Sequence, residues 1–426
     1  MPRIAPAAAV CADYSRLDGV GLQALAQRLG TPLHVYSASA IRERIRVLQA
    51  ALRGLDTLIC YAVKANANLA VLRLMADAGL GADIVSGGES LRSLRAGIPA
   101  ERIVFSGVAK SAEEIDDALA VGIGRFNVES QDELILLQRL AAGRNVIAHA
   151  SVRVNPDVDA LTHAKISTGK SENKFGVSLD EARECFADSA RLTHVRLDGL
   201  HVHIGSQMLS LDPIRQALQR VAAFWRELAA SGHAIDTIDV GGGLGVCYRE
   251  GRDQPVAIED YAALIRETLA GFGGRILLEP GRWLVAEAGE LLTRVLRVKQ
   301  GRQRQFLVVD AAMTELLRPS LYDAWHEIVP VARPRTPRQI YDIVGPVCET
   351  GDTFAVDREL PACEAGDLLM IRTTGAYGAA MASNYNSRPL ATEVMVDSGR
   401  YAVVRRRQTF EEMVAGEQLA PNWKGT

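Results

Sequence analysis

Tyr61-Ala62-Val63-Lys64-Ala65-Asn66 closes a run, Leu58 to Val63, whose apolar and β-branched residues read as a short strand. Desolvating an ammonium is costly, so an amine at the end of a core strand needs a partner or a purpose. The same desolvation lowers a lysine's pKa and makes the neutral amine a nucleophile toward aldehydes. Taken alone, Lys64 reads as a solvated strand-end residue. Its surroundings along the chain reverse that reading.

Outward from this run, strand-like and helix-like segments alternate. The strand-like runs are Leu58–Val63, Ala82–Val85, Ile103–Phe105, Arg125–Val128, Ser151–Val154, Leu200–Ile204, Thr237–Val240 and Arg275–Leu278. Between them lie amphipathic stretches rich in alanine and leucine: Ala67–Ala78, Glu89–Ala96, Ser111–Ala120, Ser130–Ala142, Leu179–Asp188, Asp212–Ala230 and Ile258–Ala270. Repeated strand–helix units predict a parallel sheet. About eight of them predict closure into a (β/α)8 TIM barrel, which typically takes about 250 residues. Polar or glycine-rich groups follow each run, among them Lys64, Ser86-Gly87-Gly88, Gly205-Ser206, Gly241-Gly242-Gly243 and Glu279-Pro280-Gly281. They gather at the carboxyl ends of the strands, where barrel enzymes carry their sites; an open doubly wound sheet would concentrate them at one switch point.

Past Arg282 the texture changes. Leu284–Val298, Phe306–Asp310, Gln339–Val344, Leu368–Arg372, Thr392–Val396 and Tyr401–Arg405 read as strands, joined by turns rich in glycine, proline and aspartate. Pro32–Tyr36 reads as one further strand. The chain is therefore expected to comprise a barrel over residues 38–281 and a mostly β domain, sandwich- or barrel-like, from residues 1–37 and 282–426.

The 426 residues carry a net charge of −3 and are 48% hydrophobic, enough for one large and one smaller domain. The charges are interspersed and leave no nucleic-acid footprint. No apolar run approaches a membrane span, and the start, Pro2 to Ala12, makes a poor signal peptide. The six cysteines, Cys11, Cys60, Cys185, Cys247, Cys348 and Cys363, form no CxxC pair and no metal-site spacing, which suits a reduced, cytoplasmic protein without structural zinc.

Four motifs carry chemistry. His201 and His203, in HVHIGS, stand two apart and are expected to face the same way from the sixth strand. They have no acidic partner at metal-site spacing in the sequence, and no metal is expected; His203 has the flat ring to stack on a planar ligand. Gly241-Gly242-Gly243 lets backbone N–H groups close on an anion, in the part of a barrel that often holds phosphate. Glu279, in EPGR, would point into the mouth, where a buried carboxylate needs a cationic partner, and Arg282 is a natural anion ligand. GPVCE (Gly345–Glu349) and GAY (Gly375–Tyr377) have the small-residue texture of loops that approach a ligand closely. A lysine, a flat ring, an anion nest and a lone glutamate are together the parts needed to hold pyridoxal phosphate.

With these motifs in this order over residues 30 to 390, the chain resembles the fold type III pyridoxal-phosphate decarboxylases, whose barrel is like that of alanine racemase, and within them the diaminopimelate decarboxylase family. The resemblance implies a carboxy-lyase that converts meso-2,6-diaminopimelate, at its D-centre, to L-lysine and carbon dioxide, the last step of lysine synthesis. It implies that Lys64 holds the cofactor, His203 stacks on its ring and Glu279 pairs with its ring nitrogen. Ser206, Gly241, Gly242, Gly243, Gly281, Arg282 and Tyr377 would surround its phosphate, with Asp83 supporting it indirectly. Cys348 and Glu349 would reach the site from the partner subunit of a homodimer with shared active sites. Arg318 and Tyr322, in RPSLY, resemble the segment that grips the distal carboxylate, and Arg282, Glu349 and Tyr377 would also meet the substrate. Ornithine and arginine decarboxylases of this fold typically carry Asp where this chain has Glu349; these, with a carboxynorspermidine decarboxylase, are the alternatives. Phe105–Lys110 departs from many relatives, and no catalytic role is assigned to it.

Overall fold

The structure, a computed structural model, describes residues 14–160, 174–332, 335–420 and 423–424, so Cys11 and the alanine-rich start lie outside the described residues. Eight parallel strands close into a barrel: Thr57–Ala62, Gly81–Ile84, Ile103–Phe105, Arg125–Val128, Ala148–Arg153, Val195–His201, Thr237–Asp239 and Arg275–Leu278. Each pairs with the next, and Arg275–Leu278 closes onto Thr57–Ala62.

Helices follow the strands, and the sequence shows where four of them start. Ser86, Ser111, Ser130 and Ser178 each stand three residues before a glutamate, and each accepts a hydrogen bond from that glutamate's backbone N–H. At Ser111/Glu114 and Ser178/Glu181 the glutamate side chain returns the bond, a full capping box. Such caps fix where these four helices begin. Tyr61, Phe105, Phe126 and Val152 are buried in the core that joins strands to helices.

The second unit is a nine-stranded sheet. Leu33–Ser37 is an interior strand, antiparallel to Gly289–Gln300 on one side and parallel to Thr392–Asp397 on the other. The chain thus passes through this sheet at Leu33–Ser37, enters the barrel, and returns to the sheet at Gly289. The crossing is a helix, Ala38–Ala51, capped by Ser37 and absent from the sequence reading. It packs against Leu69–Asp77 and Ile258–Thr268, the first and last long helices after the barrel strands, and so completes the outer ring.

Among the differences from expectation, three bear on the site. Lys64 lies in a one-turn 3-10 helix, Val63–Ala65, just past the strand. The sixth strand stops at His201, leaving His203 in the loop. The run expected as a strand from Leu284 begins as a short helix, Arg282–Val285, and the strand starts only at Gly289. Residues 282–285 are buried throughout, and a wholly buried turn has no polar face to reveal its period. Among the described residues, no helix is long and apolar enough to cross a membrane.

Candidate active site

The loop that carries Lys64 is clamped from both units. Tyr61 donates its hydroxyl to the Asn66 carbonyl (3.0 Å), Asn66 Nδ2 donates to the Gly375 carbonyl (3.0 Å), and Tyr377 N–H donates to the Ala65 carbonyl (2.8 Å). YAVKAN and GAY, some 310 residues apart in sequence, are therefore one structural joint. Lys64 Nζ lies 2.8 Å from Asp83 Oδ2. Burial alone would depress the amine's pKa, but Asp83, then Glu279 and Tyr377, raise it above its ordinary value. This corrects the expectation of a neutral, desolvated amine: the Lys64 side chain is 38% accessible, opening onto the cavity, and pairs with a wholly buried carboxylate. Asp83 therefore touches Lys64 directly.

Glu279 sits beneath that amine. Ser106 Oγ (3.3 Å) and Asn127 Nδ2 (3.2 Å) donate to Oε1, and His201 Nε2 lies 3.2 Å from Oε2. Burial opposes its charge, but His201, Lys64 and His203 hold its pKa well below the carboxylate range. Burial, and then the charge on Glu279, push Asp239 upward. Ser106, on a segment given no role in the sequence, thus supports the Glu279 carboxylate. The fold also supplies the acids that the sequence did not place near the histidine pair. Ligand atoms of His201, Asp239 and Glu279 lie within 4.8 Å of one another, a group that could hold a metal ion by distance. The expectation that His201 has no acidic neighbour is corrected, because strands far apart in sequence are adjacent in the barrel.

His203, past the strand end, accepts from Gly242 N–H at Nδ1 (3.2 Å). Burial, Arg153 and Lys64 push its pKa down to about 3, so it stays a neutral flat ring. The glycine turn is tight for a different reason than expected. A Cβ on Gly241, Gly242 or Gly243 would stand 2.1–2.3 Å from the carbonyl oxygens of Val202, Glu279 and Gly205. Gly241 N–H is taken by Asp239 (2.9 Å) and Gly242 N–H by His203, so Gly243 is the member that faces the cavity.

The cavity has a volume of ≈ 410 Å³. Lys64, His203, Ser206, Gly243, Glu279, Gly281, Arg282, Arg318, Tyr322 and Tyr377 line it. Arg282 donates to Ser206 Oγ (2.9 Å) and to the Tyr248 hydroxyl (2.7 Å), and lies 4.8 Å over the Tyr377 ring. Arg282 and Arg318 are both buried, and among the described residues neither has an ion-pair partner. Tyr248, Trp325 and His326, at the wall or behind it, were not singled out from sequence; they lie in loops without a motif. Cys348 and Glu349 do not line the cavity of their own chain. Both are exposed, on a loop held by Asp352, which accepts from the N–H groups of Val347 (2.7 Å) and Met313 (2.6 Å).

Residues 38–286 match the family described as pyridoxal-dependent decarboxylase, pyridoxal binding domain. A diaminopimelate decarboxylase of Pseudomonas aeruginosa is 50% identical over 406 residues, 95% of this chain and 97% of the relative. The crystal structure of diaminopimelate decarboxylase from Helicobacter pylori complexed with L-lysine is 44% identical, with a TM-score of 0.90 over 93% of this chain and 99% of that one. A lysine/ornithine decarboxylase of Vibrio vulnificus complexed with putrescine is more distant, 25% identical with a TM-score of 0.78 over 88% of this chain. The chain belongs to the pyridoxal-dependent decarboxylase family, and pyridoxal phosphate is its cofactor. The residues present fit that group: an accessible amine, a neutral imidazole, a buried anionic carboxylate and two buried guanidiniums without acids face one cavity of suitable size.

Proposed function

We propose that this chain is a diaminopimelate decarboxylase, acting on meso-2,6-diaminopimelate at its D-centre and releasing L-lysine and carbon dioxide. The observation that carries the reading is Arg318. It is a buried guanidinium on the cavity wall, beside Tyr322, with no carboxylate partner among the described residues. Burying a cation unpaired is unfavourable, so the site is built for a ligand that brings an anion. A substrate with a second, distal carboxylate supplies it; ornithine and arginine do not.

In this reading Lys64 is the point of attachment of the cofactor, whose ring acts as an electron sink when carbon dioxide leaves. Asp83 holds the Lys64 ammonium until attachment and can take up its proton. Glu279, kept anionic by Ser106, Asn127 and His201, holds the proton on the ring nitrogen. His203 presents its neutral face to the ring. Ser206, Gly243, Gly281, Arg282 and Tyr377 receive the phosphate, with Gly241 and Gly242 shaping the turn behind it. Arg318 and Tyr322 bind the distal carboxylate, and the loop with Cys348 and Glu349, supplied by a second copy of the chain, completes the pocket. Cys348 returns a proton to the carbon that has lost carbon dioxide. We take residues 38–281 as the barrel domain and 1–37 with 282–426 as the second domain. A cytoplasmic location is consistent with the five described cysteines, all unpaired.

The test is to supply meso-diaminopimelate and pyridoxal phosphate and to measure lysine and carbon dioxide. Arg318→Ala should raise KM steeply, since a lost buried charge pair is worth roughly 2–5 kcal/mol. Faster turnover of ornithine or arginine by the wild-type enzyme would overturn the assignment.

A further inference from the structure

Arg318 does not stand alone on the wall. Its Nη1 lies 2.8 Å from His326 Nε2, and its guanidinium lies 4.2 Å over the Tyr248 ring. His326 is buried, with Nδ1 2.8 Å from the Arg372 carbonyl. These two neighbours fix the state of the imidazole. A carbonyl only accepts, so Nδ1 carries the hydrogen; a guanidinium only donates, so Nε2 offers its lone pair. A protonated ring would set N–H against N–H. Burial, and then the charge on Arg318, keep the imidazole neutral.

The backbone around His326 is held as firmly. Arg358 Nη1 donates to its carbonyl (2.9 Å), Arg372 N–H donates to the Glu327 carbonyl (2.8 Å), and Ile328 begins a strand paired with Leu368–Ile371. The Tyr248 ring meets the imidazole edge-on, centroids 5.2 Å apart. A long arginine side chain without an acid partner would otherwise sample many rotamers, and a fork held in advance loses less entropy on binding.

We propose that His326 is the positioning residue that aims Arg318 at the distal carboxylate, and thereby sets the preference for a substrate charged at both ends. This rests on the reading of Arg318 given above. His326 acts only through Arg318, so its removal should weaken ligands that carry the distal carboxylate and spare those that lack it.

L-lysine and cadaverine make the comparison, since they differ only in that carboxylate. Binding of each to the cofactor-loaded enzyme is measured by calorimetry, alongside steady-state kinetics on meso-diaminopimelate. In His326→Met, which has no acceptor strong enough for Arg318, L-lysine should bind roughly tenfold more weakly while cadaverine changes less than about twofold. KM should rise with kcat little changed. His326→Gln, whose amide can donate to the Arg372 carbonyl and accept from Arg318, should restore most of the L-lysine affinity. Should His326→Met not fold, His326→Asn replaces it, being too short to reach Arg318. Wild-type affinity for L-lysine in the Met or Asn variant, or equal losses for both ligands, overturns the proposal. If the wild-type enzyme itself does not distinguish the two ligands, the reading of Arg318 fails, and that result is separable from the first.

Discussion

Two lysines near the barrel mouth show how partners decide chemistry. Lys110 is buried and fully engaged, donating to the carbonyls of Gly107 and Asn127 and pairing with Glu133 at 2.6 Å. Lys64 has Asp83 as its one ion-pair partner among the described residues and opens onto the cavity. Borohydride reduction of the cofactor-loaded protein followed by peptide mass mapping should therefore label Lys64, and Lys64→Ala should lose the label; a label on Lys110 or Lys174 would refute the attachment site. Glu279 invites a second substitution. Glu279→Gln keeps size and an acceptor for Asn127 but removes the charge, so the protein should fold and load cofactor while kcat falls by roughly two to three powers of ten. Near-normal turnover, with loading checked by absorbance, would make Glu279 merely structural. Lys64, Glu279 and Arg282 were legible in sequence because each sits at a strand end beside small residues. His326 and Tyr248 were not: they converge on Arg318 from two loops 78 residues apart, and no local pattern announces such a meeting.

At the scale of elements, the seventh and eighth barrel strands are set by glycine. Gly242 has an ordinary φ, so its identity is a matter of space: a Cβ there would stand 2.1 Å from the Glu279 carbonyl oxygen. Gly242→Ala must push these strand ends apart, and overpacking of this kind typically costs about 1–3 kcal/mol. The shift would fall on Glu279 and, through the Gly242–His203 hydrogen bond, on His203. Thermal denaturation should show a lower Tm, and equilibrium dialysis a weaker hold on pyridoxal phosphate; an unchanged value for both would mean that the strand ends yield freely. Barrel elements were readable from sequence because strand-like runs recur between amphipathic stretches rich in alanine and leucine. Ala38–Ala51 was missed because it precedes the barrel's first strand, where no strand–helix unit requires a helix. The helix at Arg282–Val285 was missed because burial on all sides erases its period.

At the scale of the whole molecule, the proposed homodimer would bring a loop of one copy to the cavity of the other. Lys64 lines the cavity; Cys348 and Glu349 lie exposed on a loop of the β unit, outside the cavity of their own chain. That loop is nonetheless well tied down, with Cys348 N–H donating to Asn386 Oδ1 at 3.0 Å and Asp352 linking Val347 within the loop to Met313 outside it. An ordered, exposed loop is what a shared site in a two-fold dimer requires, because each chain must present it in a fixed shape to the other. Lys64→Ala and Cys348→Ala should each be nearly inactive. When the two are mixed, dissociated and reassociated, random pairing makes about half the dimers mixed, and each mixed dimer holds one site with both lesions and one with neither. Activity should return to roughly a quarter of wild type on this arithmetic. Differential tags would report whether subunits had exchanged; exchange without recovered activity would show that Cys348 serves its own chain or none, and would remove the shared-site reading.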